Sequence, residues 1–349
     1  MGLKRIIGLL IFLGLATACL IYLRSKNTIP PRLRISTWSN YFPDSVIQDF
    51  TSKTGIKVEL SYISSNEELF AKLKAGATGL DIVQPSDYMV RQMKSLSMLS
   101  KLDPTLLPNL IHLDDYYRHL SYDLKNEYSV PFTWGTSGIA VNTAKVQLNE
   151  TEVSWELLLN SSYPRQTSLL DDMREVFSAV LFLNHLSPNT RDLDNLVKAK
   201  QQISQIKNHV LMFNSESKPL LLKEEVYIAH IFSSDAVQAQ AENPAIRYFI
   251  PREGGLIWTD NFAIPVSSQH KLQAHTFINY FLSPEHALET VRQSHLATPN
   301  REVKDLLPLE EKNNPNIYPP KEVFKKLFFL EDIGDTLPLM NRMWTELKS

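Results

Sequence analysis

Apolar residues between positions 33 and 95 switch repeatedly between a two-residue and a three-to-four-residue rhythm, which constrains the fold more than any other feature of the chain. Residues 33–37 read as a strand. After a loop holding Trp38, Ser39 and Tyr41, a helix starts near Asp44, with Val46, Ile47 and Phe50 on one face and Gly55 as its stop. Residues 57–62 alternate, with Val58, Leu60 and Tyr62 on one side. Residues 66–75 return to helical spacing with Leu69, Phe70 and Leu73 inward, and 81–83 form a short apolar strand that runs into the loop 84–88 and a third helix. This order predicts an α/β fold with a doubly wound sheet flanked by helices. Ligands of such sheets sit at the carboxyl ends of the strands. Trp38, Ser39, Tyr41, Ser86 and Tyr88 fall there.

A second series follows. Residues 128–135 and 139–141 read as strand, 155–159 as a short helix, 167–170 as strand, 175–185 and 193–206 as helices, and 225–231 as strand. Helices are expected again at 272–282, 285–294 and over most of 321–347. The restart suggests two halves with the chain crossing between them more than once. Between the two late sets lies EGGLIWTDNFAIP, residues 253–265, a turn followed by an extended segment closed by proline. Alternate side chains of a strand share a face, so Trp258 and Asp260 point the same way. An indole face beside a carboxylate suits an organic cation, through the ring quadrupole and a hydrogen-bonded counter-charge. The same pair also suits a core tryptophan next to a surface aspartate.

Asp172 and Glu175 lie three apart where a strand gives way to a helix. They are either carboxylates aimed into a cleft or a helix cap, since an acid at the N-cap with Glu three residues on is a capping box. The two roles are compatible.

Of the 349 residues, 43% are hydrophobic and 21% charged, ample for two sizeable cores. The net charge is −2, but the first 26 residues hold Lys4, Arg5, Arg24 and Lys26 and no acid, leaving 32 basic against 38 acidic residues, or −6, in the rest. That balance argues against a nucleic-acid partner. Lys4 and Arg5 followed by an apolar run over 6–23 mark residues 1–26 as an export segment. LATAC at 15–19 resembles a lipoprotein cleavage box with Cys19 as the lipidated residue; an uncleaved anchor and an ordinary cleaved signal are the alternatives. Cys19 is the only cysteine, so the body has no disulfide. Nine histidines lack metal-ligand spacing, and no HExxH, GxSxG or P-loop pattern occurs, so neither a metal, a cofactor nor an enzyme is expected.

WSNY at 38–41, TGIKV at 54–58, SNE at 65–67, Pro85-Ser86 with Tyr88, VPFTWG at 130–135, DDMREVF at 171–177 and FNS at 213–215 occur in that order. PREGG at 251–255, Trp258 with Asp260, AIP at 263–265 and TPN at 298–300 follow. Together they resemble the spermidine/putrescine-binding periplasmic proteins of bacterial ABC importers. NIYPP at 316–320 and Met343-Trp344 resemble the putrescine-preferring branch. The resemblance implies a type II periplasmic-binding-protein fold, with residues 32–137 and 260–301 in one lobe, 139–258 and 303–349 in the other, and a cleft at the hinge. It implies that Trp38, Tyr41, Tyr88 and Trp258 pack on a polyamine, that Asp172, Glu175 and Asp260 anchor its amino groups, and that Ser39 and Ser86 supply hydroxyl contacts. It also implies a monomeric periplasmic receptor that delivers its ligand to an ABC permease; a sensor that binds polyamine without transport is the alternative.

Departures bear on specificity. Phe232 stands where spermidine binders carry tryptophan, Leu296 where they carry tyrosine and Leu330 where they carry glutamine. Asp235 matches an aspartate of the putrescine-preferring branch, and Asn40 replaces an acid common to both branches. The expected ligand is putrescine, with spermidine close behind.

Overall fold

The computed structural model describes residues 31–39, 41–76, 79–159 and 163–348; Cys19, Asn40 and the expected export segment at 1–26 lie outside them. The first half opens with parallel strands β1 (Arg32–Thr37), β2 (Lys57–Tyr62) and β3 (Ile82–Val83), separated by helices α1 (Asp44–Thr54) and α2 (Asn66–Lys74) and followed by α3 (Asp87–Ser95). Local chemistry sets these ends. Gly55 takes the left-handed conformation (φ 72°) that closes α1. The Ser65 hydroxyl accepts from the Glu68 amide at 3.1 Å to open α2, while the Glu68 carboxylate accepts from the Ser64 amide at 2.8 Å.

Strand β4 (Ser129–Asn142) is 14 residues long and buried throughout. The second half adds β5 (Thr167–Leu169), helices α4 (Met173–Leu183) and α5 (Leu193–Lys207), β6 (Met212–Phe213), α6 (Ser217–Leu222), β7 (Ile228–Phe232), α7 (Ser233–Glu242) and β8 (Ile246–Phe249). Strand β9 (Gly255–Ala263) then returns to the first half, which α8 (Lys271–Leu282) and α9 (Pro284–Ser294) complete; β10 (Leu327–Phe328) and α10 (Thr336–Lys348) end the chain. Hydrogen bonds join the strands in the order β2-β1-β3-β9-β4-β7-β5-β6, with β10 beside β9 and β8 beside β4. β4 and β9 run antiparallel from Ser129↔Ala263 to Ser137↔Leu256, and β4 continues along β7 and β8. These two strands tie the halves together.

Each half has its own core. In the first, Phe42, Phe132, Phe262, Phe277 and Phe281 interlock, with ring centroids 4.9 Å apart for Phe42–Phe281 and 4.5 Å for Phe277–Phe281. In the second, Val176, Phe177 and Val180 of α4 meet Leu196 and Ile203 of α5 and Met340 and Leu347 of α10.

The strand expected over 128–135 and 139–141 is β4; Gly135 and Gly138 do not interrupt it but permit close approach, since a Cβ at 138 would lie 2.4 Å from the Phe249 carbonyl oxygen. Two features differ from the sequence reading. Strands β6, β8 and β10 carry too few residues for alternation to be visible. The tail is also divided, rather than belonging whole to the second half. Val303 and Leu307 pack on Ala287 and Val291, and Ile317 joins the core around Trp134, before Leu337 and Met340 reach the second core.

Phe277 is fully buried at the centre of the aromatic cluster. Phe277→Ala is expected to cost about 3–5 kcal/mol in urea unfolding, and a loss below about 1 kcal/mol would mean that the cluster is not the first core's keystone.

Candidate ligand-binding site

Between the halves lies a cavity of about 390 Å³. Trp38, Ser39, Tyr41, Ser86, Tyr88, Asp172, Glu175, Phe232, Asp235, Trp258 and Asp260 all line it, and so do Leu296 and Leu330. Every candidate ligand-binding residue is therefore brought to one place. Five further acids or amides that the sequence reading did not single out join them: Asp87, Glu68, Glu216, Asn66 and Gln238. Seven carboxylates line the wall, and no Lys, Arg or His does among the described residues.

Trp258 and Asp260 leave β9 on the same side, as their spacing predicted. Asp260 is the centre of a relay on the first half. Its Oδ1 accepts from the Ser86 hydroxyl at 2.5 Å, and its Oδ2 accepts from the Tyr41 hydroxyl. Ser86 is held in turn by Asn66, whose amide donates to its Oγ at 2.9 Å and whose oxygen accepts from its backbone N–H at 2.9 Å. Asn66 was hidden because an asparagine opening a helix reads as ordinary helix-start chemistry. Burial pushes the Asp260 carboxyl up to about 6 despite the two donors. Burial, with Asp260 nearby, also raises the Tyr41 hydroxyl, so it stays protonated and donates. Asp87 is pushed up to about 8 by burial, against backbone hydrogen bonds from Tyr88 at 2.6 Å and Thr259 at 3.2 Å.

The second half supplies the opposing acids. Asp172 is the N-cap of α4, accepting from the Glu175 amide at 3.1 Å, and it also lines the cavity, so both roles weighed from the sequence coexist. Burial, then the charges of Glu67 and Glu175, push its carboxyl up to about 8. Glu175 accepts from the Ser137 hydroxyl at 2.8 Å. Asp235 is pushed up to about 6 by burial, with Lys218 opposing the shift. Behind this wall the buried Arg174 donates to the Glu331 carbonyl at 3.2 Å and to Asn189 at 3.1 Å, with its guanidinium 5.3 Å from the Tyr88 ring centroid.

Rings form the remaining wall. Trp258 meets Phe232 edge to face at 5.9 Å and packs against β4 at Gly135, where a Cβ would fall 2.4 Å from the indole. Trp38 donates to the Gln84 carbonyl at 3.0 Å, and Tyr88 donates to Glu67 at 3.1 Å. Among the described residues, no group of three or more His, Cys, Asp or Glu could hold a metal ion, and no helix is long and apolar enough to cross a membrane.

Two α/β halves that close a cavity between them, with side chains from both reaching in, define a solute-binding protein. The sequence profile described as bacterial extracellular solute-binding protein matches residues 45–318. The chain is 34% identical over 316 residues to the spermidine/putrescine-binding periplasmic protein 1 of Haemophilus influenzae, covering 90% of this chain and 88% of that one. It is 32% identical over 338 residues to a putrescine-binding periplasmic protein of Pseudomonas aeruginosa, covering 91% and 92%. A solved spermidine/putrescine ABC transporter structure from Listeria monocytogenes superimposes with a TM-score of 0.86 at 32% identity, covering 91% of this chain and 98% of that one. The chain belongs to the bacterial extracellular solute-binding proteins.

Buried acids with raised values set the pH dependence of the ligand-free protein. Above about 8 the folded state holds Asp172 charged against its surroundings, while the unfolded chain, with a carboxyl near 4, does not. As pH falls, the folded state takes up the proton first and the cost shrinks. Asp172→Asn keeps the capping oxygen and removes the charge. Melting by calorimetry without ligand is expected to show the variant more stable than wild type at pH 8, with the gap narrowing toward pH 5; equal stability at pH 8 would contradict the assignment.

Proposed function

We propose that the cavity binds a linear polyamine, putrescine in preference to spermidine, and that the protein delivers it outside the inner membrane to an ABC permease. One observation carries this reading: seven carboxylates line the cavity, with no basic side chain among the described residues to neutralise them. A protonated diamine supplies the missing charge at both ends and methylenes for the rings between. On this reading Asp260 anchors one ammonium, and Asp172 and Glu175 anchor the other. Trp38, Tyr41, Tyr88 and Trp258 enclose the chain by cation–π and apolar contact. Ser39 and Ser86 give hydroxyl contacts. The preference for the shorter ligand rests on Leu296 and Leu330, which offer no polar contact, and on the added acid of Asp235 near Phe232.

The mechanism is a population shift. Residues 32–137 with 260–301, and 139–258 with the last helix, move about β4 and β9. The cation favours the closed form because only there does it meet acids from both halves. The protein binds its ligand without turning it over. A lipid on Cys19, or retention of the apolar segment, keeps it at the membrane surface.

Calorimetric titration with putrescine, cadaverine, spermidine and an amino-acid control tests the reading. Asp260→Asn is expected to lose about 2–5 kcal/mol, the usual cost of truncating one partner of a buried charge pair and roughly 30-fold or more in affinity. Wild-type affinity is also expected to fall as pH drops from 8 toward 5.5, because Asp172 and Asp260 take up protons that compete with the ligand. Unchanged putrescine affinity in Asp260→Asn, or no polyamine binding by wild type, refutes it.

A further inference from the structure

His230 lies in the middle of β7 and is wholly buried, yet among the described residues neither ring nitrogen has a hydrogen-bond partner. A neutral imidazole always carries one N–H, and burying that donor without an acceptor is costly. The ring is held on one side by Trp155, edge to face at 5.0 Å. On another side its Nε2 approaches Oε2 of Glu175 to 3.5 Å. The other oxygen of that carboxylate is taken by the Ser137 hydroxyl at 2.8 Å.

His230 shares its strand face with Ile228 and Phe232, and α4 and the turn at Trp155 cover that face. α4 brings Glu175 and, at its start, Asp172. The turn adds Glu156, which is exposed. β4 brings Ser137 and Ile139, the residue opposite His230, and Tyr248 of β8 sits close enough to feel the Glu175 charge. Lys218, Asp235 and Glu242 belong to α6 and α7, which cover the opposite face. The charge that His230 meets is therefore that of Glu175.

We propose that His230 is a positioning residue for Glu175: it directs its Nε2–H at Oε2 and, with Ser137, turns the carboxylate so that its free lone pairs face an ammonium in the cavity. The proposal rests on the polyamine reading of the site.

Putrescine titrations of the full chain in detergent at pH 8, for wild type, His230→Gln and His230→Leu, test this. Glutamine still donates, and leucine fills the space without a donor. At pH 8 His230→Gln is expected within about 3-fold of wild type and His230→Leu roughly 10-fold or more weaker, the loss for deleting a hydrogen bond to a charged group. Leucine binding like wild type overturns the proposal. Nitrogen-15 histidine spectra of wild type give a second measure that needs no variant. A proton on Nε2 with a shift on ligand addition supports the proposal; a proton on Nδ1 alone overturns it. Failure of wild type to bind any polyamine refutes the site reading instead, and the tautomer still decides the orientation of His230.

Discussion

Like charges buried against one another are the constraint that the rest of this structure accommodates. Burial pushes Asp172 and Asp87 up to about 8 and Asp260 and Asp235 up to about 6, and in Asp172, Asp87 and Asp235 a neighbouring carboxylate adds to the shift. Such groups stay in place only where donors hold them. Asp260 has Ser86 and Tyr41, Asp87 has two backbone amides, Asp172 has the first turn of α4, and Glu175 has Ser137. Each donor sits on an element packed against one of the two cores, so the rigidity of the phenylalanine cluster and of α4 is what lets the acids face a cavity instead of turning to water.

The acids are divided between the halves, and that division gives the proposed closure its energetics. Asp260 and Asp87 approach from the first half, and Asp172, Glu175 and Asp235 from the second. Bringing them together without a cation raises the free energy of the closed form; a cation between them lowers it. Arg174 complicates this in an informative way. Its charge lowers the values of Glu67 and Asp87, yet the guanidinium sits behind the wall, held by the Glu331 carbonyl and Asn189 and lying over Tyr88. It offsets part of the negative field from the rear and leaves the cavity face unneutralised. A basic group at the cavity face would fill the ligand's place; one at the rear makes the acid cluster tolerable.

Most of the site was legible because its side chains sit at ends of elements, where spacing carries meaning. Trp38, Ser39, Tyr41, Ser86 and Tyr88 follow strands of a doubly wound sheet, and Trp258 and Asp260 share one face of a strand. What stayed hidden depends on contacts far apart in sequence. The Ser86–Asp260 bond joins residues 174 positions apart, and that of Tyr41 to Asp260 spans 219. Nothing in IAHIF says that its histidine faces Glu175 and not the opposite helix layer, because a wholly buried strand shows no alternation of polarity. In the long strand β4, two glycines of the kind that usually punctuate a strand admit the Trp258 ring and the Phe249 carbonyl.

Those glycines bear on how recognition and closure are joined. In the β4–β9 ladder Thr133 faces Asp260 and Gly135 faces Trp258. Asp260 and Trp258 thus ride on one strand, two residues apart, pinned in register to the strand that passes through both halves. In the proposed closure their separation does not change, since shifting it would break ladder hydrogen bonds. The indole occupies the space that a Cβ at Gly135 would fill, so glycine at that position is what admits the ring. On the proposed mechanism this ring-and-carboxylate pair is complete before closure. It meets one end of the ligand first, and the acids of α4 arrive as the second contact. The order of events follows from which groups share a strand and which must travel.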